Sequence, residues 1–358
     1  MGGLEGNRVA LLLALGLSVS CAGHANDDGS GGSLPSGASL SALAWRNSRE
    51  SFCQDDAPAG YDPPSVSLWS DERGVFLLVG ERFSTVYLNA GDGWQLYNRR
   101  VAVPNESSRL TGFPSGNLLR YGSASPYDPA HPRCGIEVIQ PSGVTCSSSA
   151  TDSASGLSVV DADVAYSYLG SQVFRYSSGQ WQPFGDTVSL GCGVIRSMWA
   201  SRESVSLGFN YAKSAQISAA NYEDRQVNTA GADFDFSCAW GFGDQFLFGT
   251  SRGSVVQGTS GSWSAIANTQ SSCATYINGM WGGPDALYFW TTKSVSVLRD
   301  GRVDTVLALP CGGTSSIESV WGNSAREVFV AARDARLVGN RCGDVRVYWY
   351  NGDVLSPL

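Results

Sequence analysis

Few residues of this chain have the types and spacing that catalysis requires. It contains two histidines, His24 near its start and His131 within the segment Pro129-Ala-His-Pro-Arg133. A Ser-His-Asp or Cys-His arrangement would depend on His131, because His24 falls in a leader or tether segment. The turn-like surroundings of His131 favour a solvated loop histidine. The sequence therefore predicts no catalytic triad and no metal site built on two histidines.

Carboxylates are the second candidate for chemistry. In two of three acidic clusters, alternate residues would share one face of a strand, as a glycosidase pair or a cation site needs. Acids in such places more often cap turns at strand ends, and no glycine-rich phosphate loop opens a helix. We expect no cofactor. The clusters are Asp55-Asp56, Asp161 with Asp163, and Asp233 with Asp235.

The nine cysteines favour disulfides over metal binding. No two of them form a CxxC pair, whereas zinc sites prefer closely spaced thiolates. Disulfides imply an oxidising compartment. Eight cysteines follow Cys21, an even number that allows four disulfides in 105 connectivities. Proximity suggests four pairs: Cys134–Cys146, Cys192–Cys238, Cys273–Cys311 and Cys53–Cys342.

The first residues have the pattern of an export signal. Val9 to Val19 is an apolar core of 11 residues, too short to span a bilayer. It leads into Ser20-Cys21-Ala22-Gly23, which resembles the lipobox of bacterial lipoproteins, although Ser18 replaces the usual leucine. The resemblance implies that Cys21 is lipidated, and Ala22 after it implies the outer membrane. The alternative is ordinary cleavage after Ala25, which would give a periplasmic or secreted protein.

The rest of the chain is organised by a repeat of about 41 residues. Its anchors are separated by 44, 44, 42, 41, 41 and 40 residues. Five are tryptophans, most of them followed by glycine, and Phe113 and Leu157 fill two weaker copies. We interpret these aromatic anchors as packing residues. The tryptophan anchors are Trp69, Trp199, Trp240, Trp281 and Trp321.

Each repeat contains several short β-branched or aromatic runs, and most end in a glycine turn such as Ser178-Gly179 or Asp300-Gly301. Four short strands per 40 to 45 residues are typical of a propeller blade. The sequence therefore predicts an all-β propeller, most simply of seven blades with four antiparallel strands each. Six or eight blades, or a two-sheet sandwich array, are the alternatives. The expected organisation is a signal peptide (1–20), a lipid-anchored flexible tether (21–44) and the propeller (45–358).

The segment Val-Trp321-Gly-Asn-Ser-Ala-Arg-Glu-Val-Phe-Val, followed by a glycine-turn hairpin, resembles a broad group of bacterial envelope propellers. They repeat Val-Trp-Gly and Asp-Gly-x-Trp units and are distantly similar to BNR-type propellers. The resemblance covers residues 60 to 358 and implies the fold alone. Leu88 to Trp94 lacks the Ser-x-Asp-x-Gly-x-Thr-Trp pattern of sialidases, so no sialidase activity is implied.

Charge points to the partners of this chain. The net charge of −8 argues against nucleic acid, whose phosphates bind clustered lysine and arginine. In six of the seven repeats, however, the loop between the second and third strands carries a cation, which predicts a positive face for an anionic partner. The alternative is that polar loops simply hold charges. These residues are Arg82, Arg133, Lys213, Arg252, Lys293, and Arg333 with Arg336.

Two functions follow from this sequence. The first is a binding or scaffolding module on the cell envelope, monomeric and attached to the membrane only through its lipid, with a protein, peptide or glycan partner. The alternative is a carbohydrate-active enzyme with carboxylates at the central funnel. Propellers host both kinds of function, so the fold does not decide between them. Two carboxyl groups with raised pKa in a narrow pocket would favour catalysis.

Overall fold

A computed structural model describes most of the predicted propeller. The described residues are 65–80, 83–101, 107–114, 116–123, 134–147, 153–210, 213–223, 225–229, 235–242, 245–259, 262–269, 273–334 and 344–358. The predicted signal peptide, the tether and Cys21 lie outside these ranges. In the described part of the chain, no helix is long and apolar enough to cross a membrane.

The chain forms seven sheets of four antiparallel strands, each sheet built from one continuous segment. This confirms the seven-bladed propeller. Blades 1 to 4 are β1 (Ser65–Asp71), β2 (Gly74–Gly80), β3 (Phe83–Asn89) and β4 (Trp94–Val101); β5 (Ser107–Gly112), β6 (Leu118–Ser123), β7 (Ile136–Gln140) and β8 (Gly143–Cys146); β9 (Gly156–Val159), β10 (Ala165–Leu169), β11 (Gln172–Ser177) and β12 (Gln180–Asp186); and β13 (Ile195–Ala200), β14 (Ser204–Phe209), β15 (Lys213–Ser218) and β16 (Arg225–Thr229).

The remaining three blades repeat the same meander. They are β17 (Phe236–Phe242), β18 (Gln245–Thr250), β19 (Ser254–Thr259) and β20 (Ser262–Asn268); β21 (Gly279–Gly282), β22 (Leu287–Trp290), β23 (Ser294–Arg299) and β24 (Arg302–Ala308); and β25 (Ser315–Ser324), β26 (Glu327–Asp334), β27 (Asp344–Tyr350) and β28 (Leu355–Pro357). A short 3-10 helix, Thr187–Leu190, lies between β12 and β13.

Tight glycine turns close the outer hairpins, as the sequence predicts. Ser178 and Gly179 have φ of 52° and 81°, and Asp300 and Gly301 have φ of 50° and 72°. Two successive positive φ angles are the geometry of a two-residue turn whose twist matches that of the flanking strands. These turns therefore fix the pairing of β11 with β12 and of β23 with β24.

The first strand of each blade lies innermost and contacts the first strands of neighbouring blades. The tryptophan anchors lie on these inner strands, and all five are buried. The ring closes where β1 meets β25. One apolar cluster runs through this junction and includes Leu68 of blade 1 and Val320 of blade 7. Each blade is one segment of chain, so side-chain packing and hydrogen bonds hold these two blades together.

Four of the five anchoring tryptophans contact a glycine of the next blade. A Cβ atom on Gly241 would lie 2.7 Å from the Trp199 ring, and one on Gly322 would lie 2.7 Å from the Trp281 ring. The Trp240 Nε1–H donates to the carbonyl oxygen of Gly282 at 2.9 Å. A side chain at Gly241 or Gly322 would collide with an indole. The recurring Trp-Gly pair is therefore a packing device, which agrees with its interpretation from sequence.

Two anchors assigned from sequence occupy other places. In blade 2 the glycine covered by the Trp69 ring is Gly112, so Thr111, and not Phe113, precedes it in the tryptophan slot. In blade 3 the slot belongs to Ser158, which follows Leu157 and accepts a hydrogen bond from the Ala200 N–H of blade 4. Spacing alone missed these shifts because neither slot carries an aromatic residue.

Two of the four expected disulfides are present among the described residues. Cys134 is joined to Cys146, and Cys273 to Cys311, with Cα separations of 5.7 and 5.5 Å. Cys53 and Cys342 lie outside the described residues.

The expected Cys192–Cys238 pair is wrong, because these cysteines are two separate buried thiols. Cys192 lies in the segment before β13, whereas Cys238 points from the interior of β17 towards Ile277 of blade 6. The two residues belong to different core clusters. Burial raises the pKa of the Cys192 thiol, and the charge of Lys213 opposes this rise.

Candidate functional site

One face of the ring carries the segments that join consecutive blades and the loops between second and third strands; we call it the joining face. Two side chains demonstrate that these elements share a face. Lys213 Nζ donates to the carbonyl oxygen of Gly191 at 2.9 Å, in the segment between blades 3 and 4. Lys293 Nζ donates to the carbonyl oxygens of Gly313 and Ser315 at 2.7 and 2.6 Å, between blades 6 and 7.

Four of the cations assigned from sequence are in the described part of the chain. Lys213 begins β15, Arg252 and Lys293 lie in turns between second and third strands, and Arg333 lies near the end of β26. All four therefore lie at the joining face. Both lysines also brace loop carbonyls, so part of their role is structural. Arg82, Arg133 and Arg336 lie outside the described residues.

Three inner strands bulge near their joining-face ends. The pairing register shifts between Ile195 and Ser197, between Phe236 and Cys238, and between Ile317 and Ser319. The skipped residues are Arg196, Ser237 and Glu318. A β-bulge redirects side chains, and such bulges are common beside binding sites. Sequence reasoning missed these residues because periodicity does not reveal a bulge.

The bulge residues Arg196 and Glu318 are held by hydrogen bonds to side chains of their own blades. Arg196 Nε donates to Asn210 Oδ1 at 2.9 Å. Glu318 Oε1 accepts from Arg333 Nε at 3.0 Å and from the Ser316 hydroxyl at 2.5 Å. These bonds fix charged groups of both signs near the channel mouth, and Arg333 is neutralised by Glu318.

Exposed apolar side chains accompany the cations. Val188 and Val194 are 66% and 52% exposed and lie between blades 3 and 4, while Tyr276 is 40% exposed and lies between blades 5 and 6. All three lie in joining segments. Val188 is held outward by the 3-10 helix, whose cap Asp186 accepts from the Val188 N–H. Sequence reasoning missed these three residues because each is an isolated apolar residue in a loop and not part of an apolar run.

At a deeper level of the inner strands, the indole rings of blades 5, 6 and 7 contact one another. The Trp240 and Trp321 ring centroids are 6.2 Å apart, and those of Trp281 and Trp321 are 6.5 Å apart. Trp240 and Trp321 belong to blades 5 and 7, so their contact must bridge the inner strand of blade 6. These three side chains, at most 9% exposed, form a floor that we call the tryptophan floor.

Among the acidic clusters assigned from sequence, the described residue Asp161 has a structural role. Asp161 Oδ1 accepts the N–H groups of Asp163 and Val164, both at 2.8 Å, and Asp161 Oδ2 accepts from Arg202 Nε at 3.2 Å. Asp161 therefore caps a turn, in agreement with the capping interpretation. Asp235 is exposed, while Asp55, Asp56, Asp233 and His131 lie outside the described residues.

Glu327 is a buried carboxyl group on the face opposite the joining face, and sequence reasoning did not single it out. It is 5% exposed, and burial raises its pKa while the hydrogen bond from Asn323 opposes that shift. Asn323 Oδ1 accepts from the Ser70 hydroxyl at 2.5 Å. An amide and a hydroxyl thus lie beside Glu327, whereas glycoside hydrolysis requires a second carboxyl group. Among the described residues, no three His, Cys, Asp or Glu side chains are grouped to hold a metal ion.

Comparison with known proteins relates the chain to other propellers by fold. No protein-family model matches the sequence, and no curated protein matches it significantly. One similar structure is PorZ, an essential bacterial surface component of the type-IX secretion system of Porphyromonas gingivalis. It aligns with a TM-score of 0.55 and 9% identity over 83% of this chain, which spans 38% of that PorZ chain. Another is YCF48 bound to a D1 peptide, with a TM-score of 0.56 and 11% identity over 84% of this chain and 99% of the other. At these identities the chain is similar to both in fold alone.

Proposed function

We propose that this protein is an envelope-displayed binding module whose joining face engages a protein or peptide segment of acidic character. The observation that carries this proposal is the combination of exposed apolar side chains and cations on one face. Val188 and Val194 project from the joining segment that Lys213 braces, and Tyr276 projects from the joining segment before blade 6 on the same face. Apolar side chains gain free energy when a partner covers them, and the cations favour an anionic partner.

Charge and chemistry favour a peptide over the other candidates. The chain carries a net charge of −8, so cations gathered on one face attract an acidic segment there while the remaining surface repels it. A glycan would gain little from exposed valines. The propellers PorZ and YCF48, the latter bound to a peptide, support such a role by analogy of fold.

The proposed location is the outer membrane. The two disulfides indicate an oxidising compartment outside the cytoplasm. We further propose that Cys21 is the lipidated first residue of the mature chain, because an apolar core of signal-peptide length precedes it. Mass spectrometry of the native protein should find acyl chains on Cys21. An unacylated N-terminus near Asn26 would contradict the lipid anchor.

The binding function is tested by partner capture with the full-length protein from detergent-solubilised envelope. We expect the double variant Val188→Asp/Val194→Asp to lose the partner, because two charges would replace apolar contacts and repel an acidic segment. The matched control is Val227→Asp, which alters an equally apolar residue, 44% exposed, on the outer strand β16 of blade 4. Equal capture by the wild type and the double variant would disprove binding at the joining face.

A further inference from the structure

Each of the seven inner strands has an equivalent position two residues before its tryptophan slot. The slot is held by a tryptophan anchor in five blades and by Thr111 and Ser158 in blades 2 and 3. At two of these seven positions the side chain lies against the backbone of the next blade. The Ser67 hydroxyl accepts from the Leu110 N–H and the Ser319 hydroxyl from the Leu68 N–H, both at 3.0 Å. Such close approach allows only small residues. The seven residues are Ser67, Arg109, Gly156, Ser197, Cys238, Gly279 and Ser319.

Arg109 is the exception to this rule of small residues. Six of these positions hold serine, glycine or cysteine and are buried, whereas Arg109 is partly exposed. A guanidinium group does not fit between inner strands that approach within hydrogen-bond distance of one another's side chains. Because the guanidinium group is excluded from that contact and is partly exposed, the central channel at the joining-face end of β5 is the space open to it.

The Arg109 guanidinium group has no hydrogen-bond or ion-pair partner among the described residues. Other arginines nearby are engaged: Arg196 binds Asn210, and Arg333 binds Glu318. On the same side of β5, two residues deeper, the buried Thr111 hydroxyl also has no hydrogen-bond partner. A partly exposed guanidinium group with five N–H donors and no carboxylate partner among the described residues can bind an anionic ligand.

The level of Arg109 fits a ligand that enters from the joining face. Arg109 is the third residue of β5, which starts at that face. The tryptophan floor lies two residues deeper along the inner strands, which corresponds to about 7 Å. A segment entering the channel would therefore meet the guanidinium group before it reached the floor. The planar guanidinium group matches a carboxylate through two parallel hydrogen bonds.

We propose that Arg109 binds a carboxylate group of the partner inside the central channel, above the tryptophan floor. The proposal rests on the proposed binding function, since the carboxylate must belong to a segment that enters from the joining face. The carboxylate comes either from a chain terminus or from an aspartate or glutamate side chain, and the experiment separates these sources.

The test uses saturation-transfer NMR of the full-length protein with three peptides. They are N-acetyl-trialanine, its C-terminal amide, and N-acetyl-Ala-Asp-Ala-amide. We expect a peptide with a carboxylate to bind at least about ten-fold more tightly than the trialanine amide, because charge-assisted hydrogen bonds are lost with the charge. Preference for the first peptide assigns the site to a chain terminus, and preference for the third assigns it to an acidic side chain.

The variant Arg109→Gln should abolish the preference for a carboxylate. The control Arg302→Gln removes the same charge from an 82% exposed side chain on the outer strand β24 and should retain the preference. If Arg109→Gln fails to fold, phenylglyoxal labelling of the wild type replaces it, and the carboxylate peptide should protect Arg109. The proposal is overturned if the wild type shows no preference, if Arg109→Gln keeps it, or if no protection occurs.

The two proposals fail in different ways. Loss of partner capture in Val188→Asp/Val194→Asp, together with unchanged carboxylate preference in Arg109→Gln, would retain the binding function and reject the role of Arg109. Unchanged capture in the double variant would reject the binding function at the joining face itself.

Discussion

Glu327 is a buried carboxyl group whose charged form lowers the stability of the folded protein. The Glu327 side chain is 5% exposed, and its Oε1 atom has no hydrogen-bond partner among the described residues. Asn323 Nδ2 approaches Oε2 at the long distance of 3.5 Å. Burial therefore disfavours the charged form and raises the pKa. A carboxylate kept in such a place is costly at neutral pH, since an unsatisfied buried group costs about 1–3 kcal/mol.

We expect Glu327→Gln to stabilise the protein at pH 7 by about 1 kcal/mol, because it removes the buried charge and keeps the shape. The folded-state pKa lies above the unfolded value, so the folded protein binds more protons between the two, and wild-type stability falls as pH rises through this window. The advantage of the variant should therefore disappear as pH falls towards the unfolded pKa of the carboxyl group. Urea unfolding of both proteins across this pH range measures it. A destabilised Glu327→Gln at pH 7 would contradict this account.

Neighbouring blades contact each other through the Trp-Gly pairs that recur in the sequence. The Trp-Gly pair places the indole of one blade over the bare backbone of the next blade. The glycine is required because a side chain at that position would enter the ring of the indole. The two residues of a Trp-Gly pair therefore make separate contacts. The tryptophan packs on the next blade, and the glycine receives the tryptophan of the preceding blade.

Gly241→Ala should destabilise the protein by about 1–3 kcal/mol, the usual cost of overpacking. Its Cβ would lie 2.7 Å from the Trp199 ring and 2.7 Å from the Gln245 carbonyl oxygen. Gly283→Ala is the matched control, because a Cβ atom there meets nothing within 4 Å. Thermal unfolding measures both. Equal melting temperatures for the two variants would show that the interlock does not contribute to stability.

Elements of this fold were largely predictable, and the exceptions have physical causes. The anchors, the glycine turns and the count of seven blades follow from local patterns that repeat in every unit. The slots of Thr111 and Ser158 were not predictable, because a slot is recognised only by its contact with the neighbouring blade. The cysteine pairing failed at Cys192 and Cys238 because sequence spacing does not tell that the two thiols pack into different core clusters.

The candidate site was predictable in part. The cations between second and third strands follow from loop position, so Lys213, Arg252, Lys293 and Arg333 were assigned from sequence. Arg109 was not, since one arginine in a short strand is unremarkable until six equivalent positions are found to hold small residues. The contacts between blades identify which positions are equivalent, and this equivalence cannot be read from one sequence.

At the scale of the whole molecule, the decisive feature is closure of the ring. One edge of each inner strand pairs with the second strand of its blade, and the other edge faces the channel. Unpaired N–H groups on that second edge would be costly. Serine hydroxyls of the preceding blade accept three of these groups at 3.0 Å: Leu68 N–H, Leu110 N–H and Ala200 N–H. The first of these bonds crosses the closure between blades 7 and 1. The other two lie within the ring.

These bonds between blades predict that the ring unfolds as one unit. In an open array of repeats the terminal interfaces fray first, and Leu68 would then exchange its amide hydrogen faster than Leu110 and Ala200. In a closed ring with a continuous core across the junction, all three amides should show similar protection, within about ten-fold. Hydrogen exchange followed by mass spectrometry measures this. Ser319→Ala should lower the protection of all three amides together, because the loss at one interface is shared by the ring; a loss confined to Leu68 would show that blades 7 and 1 separate independently.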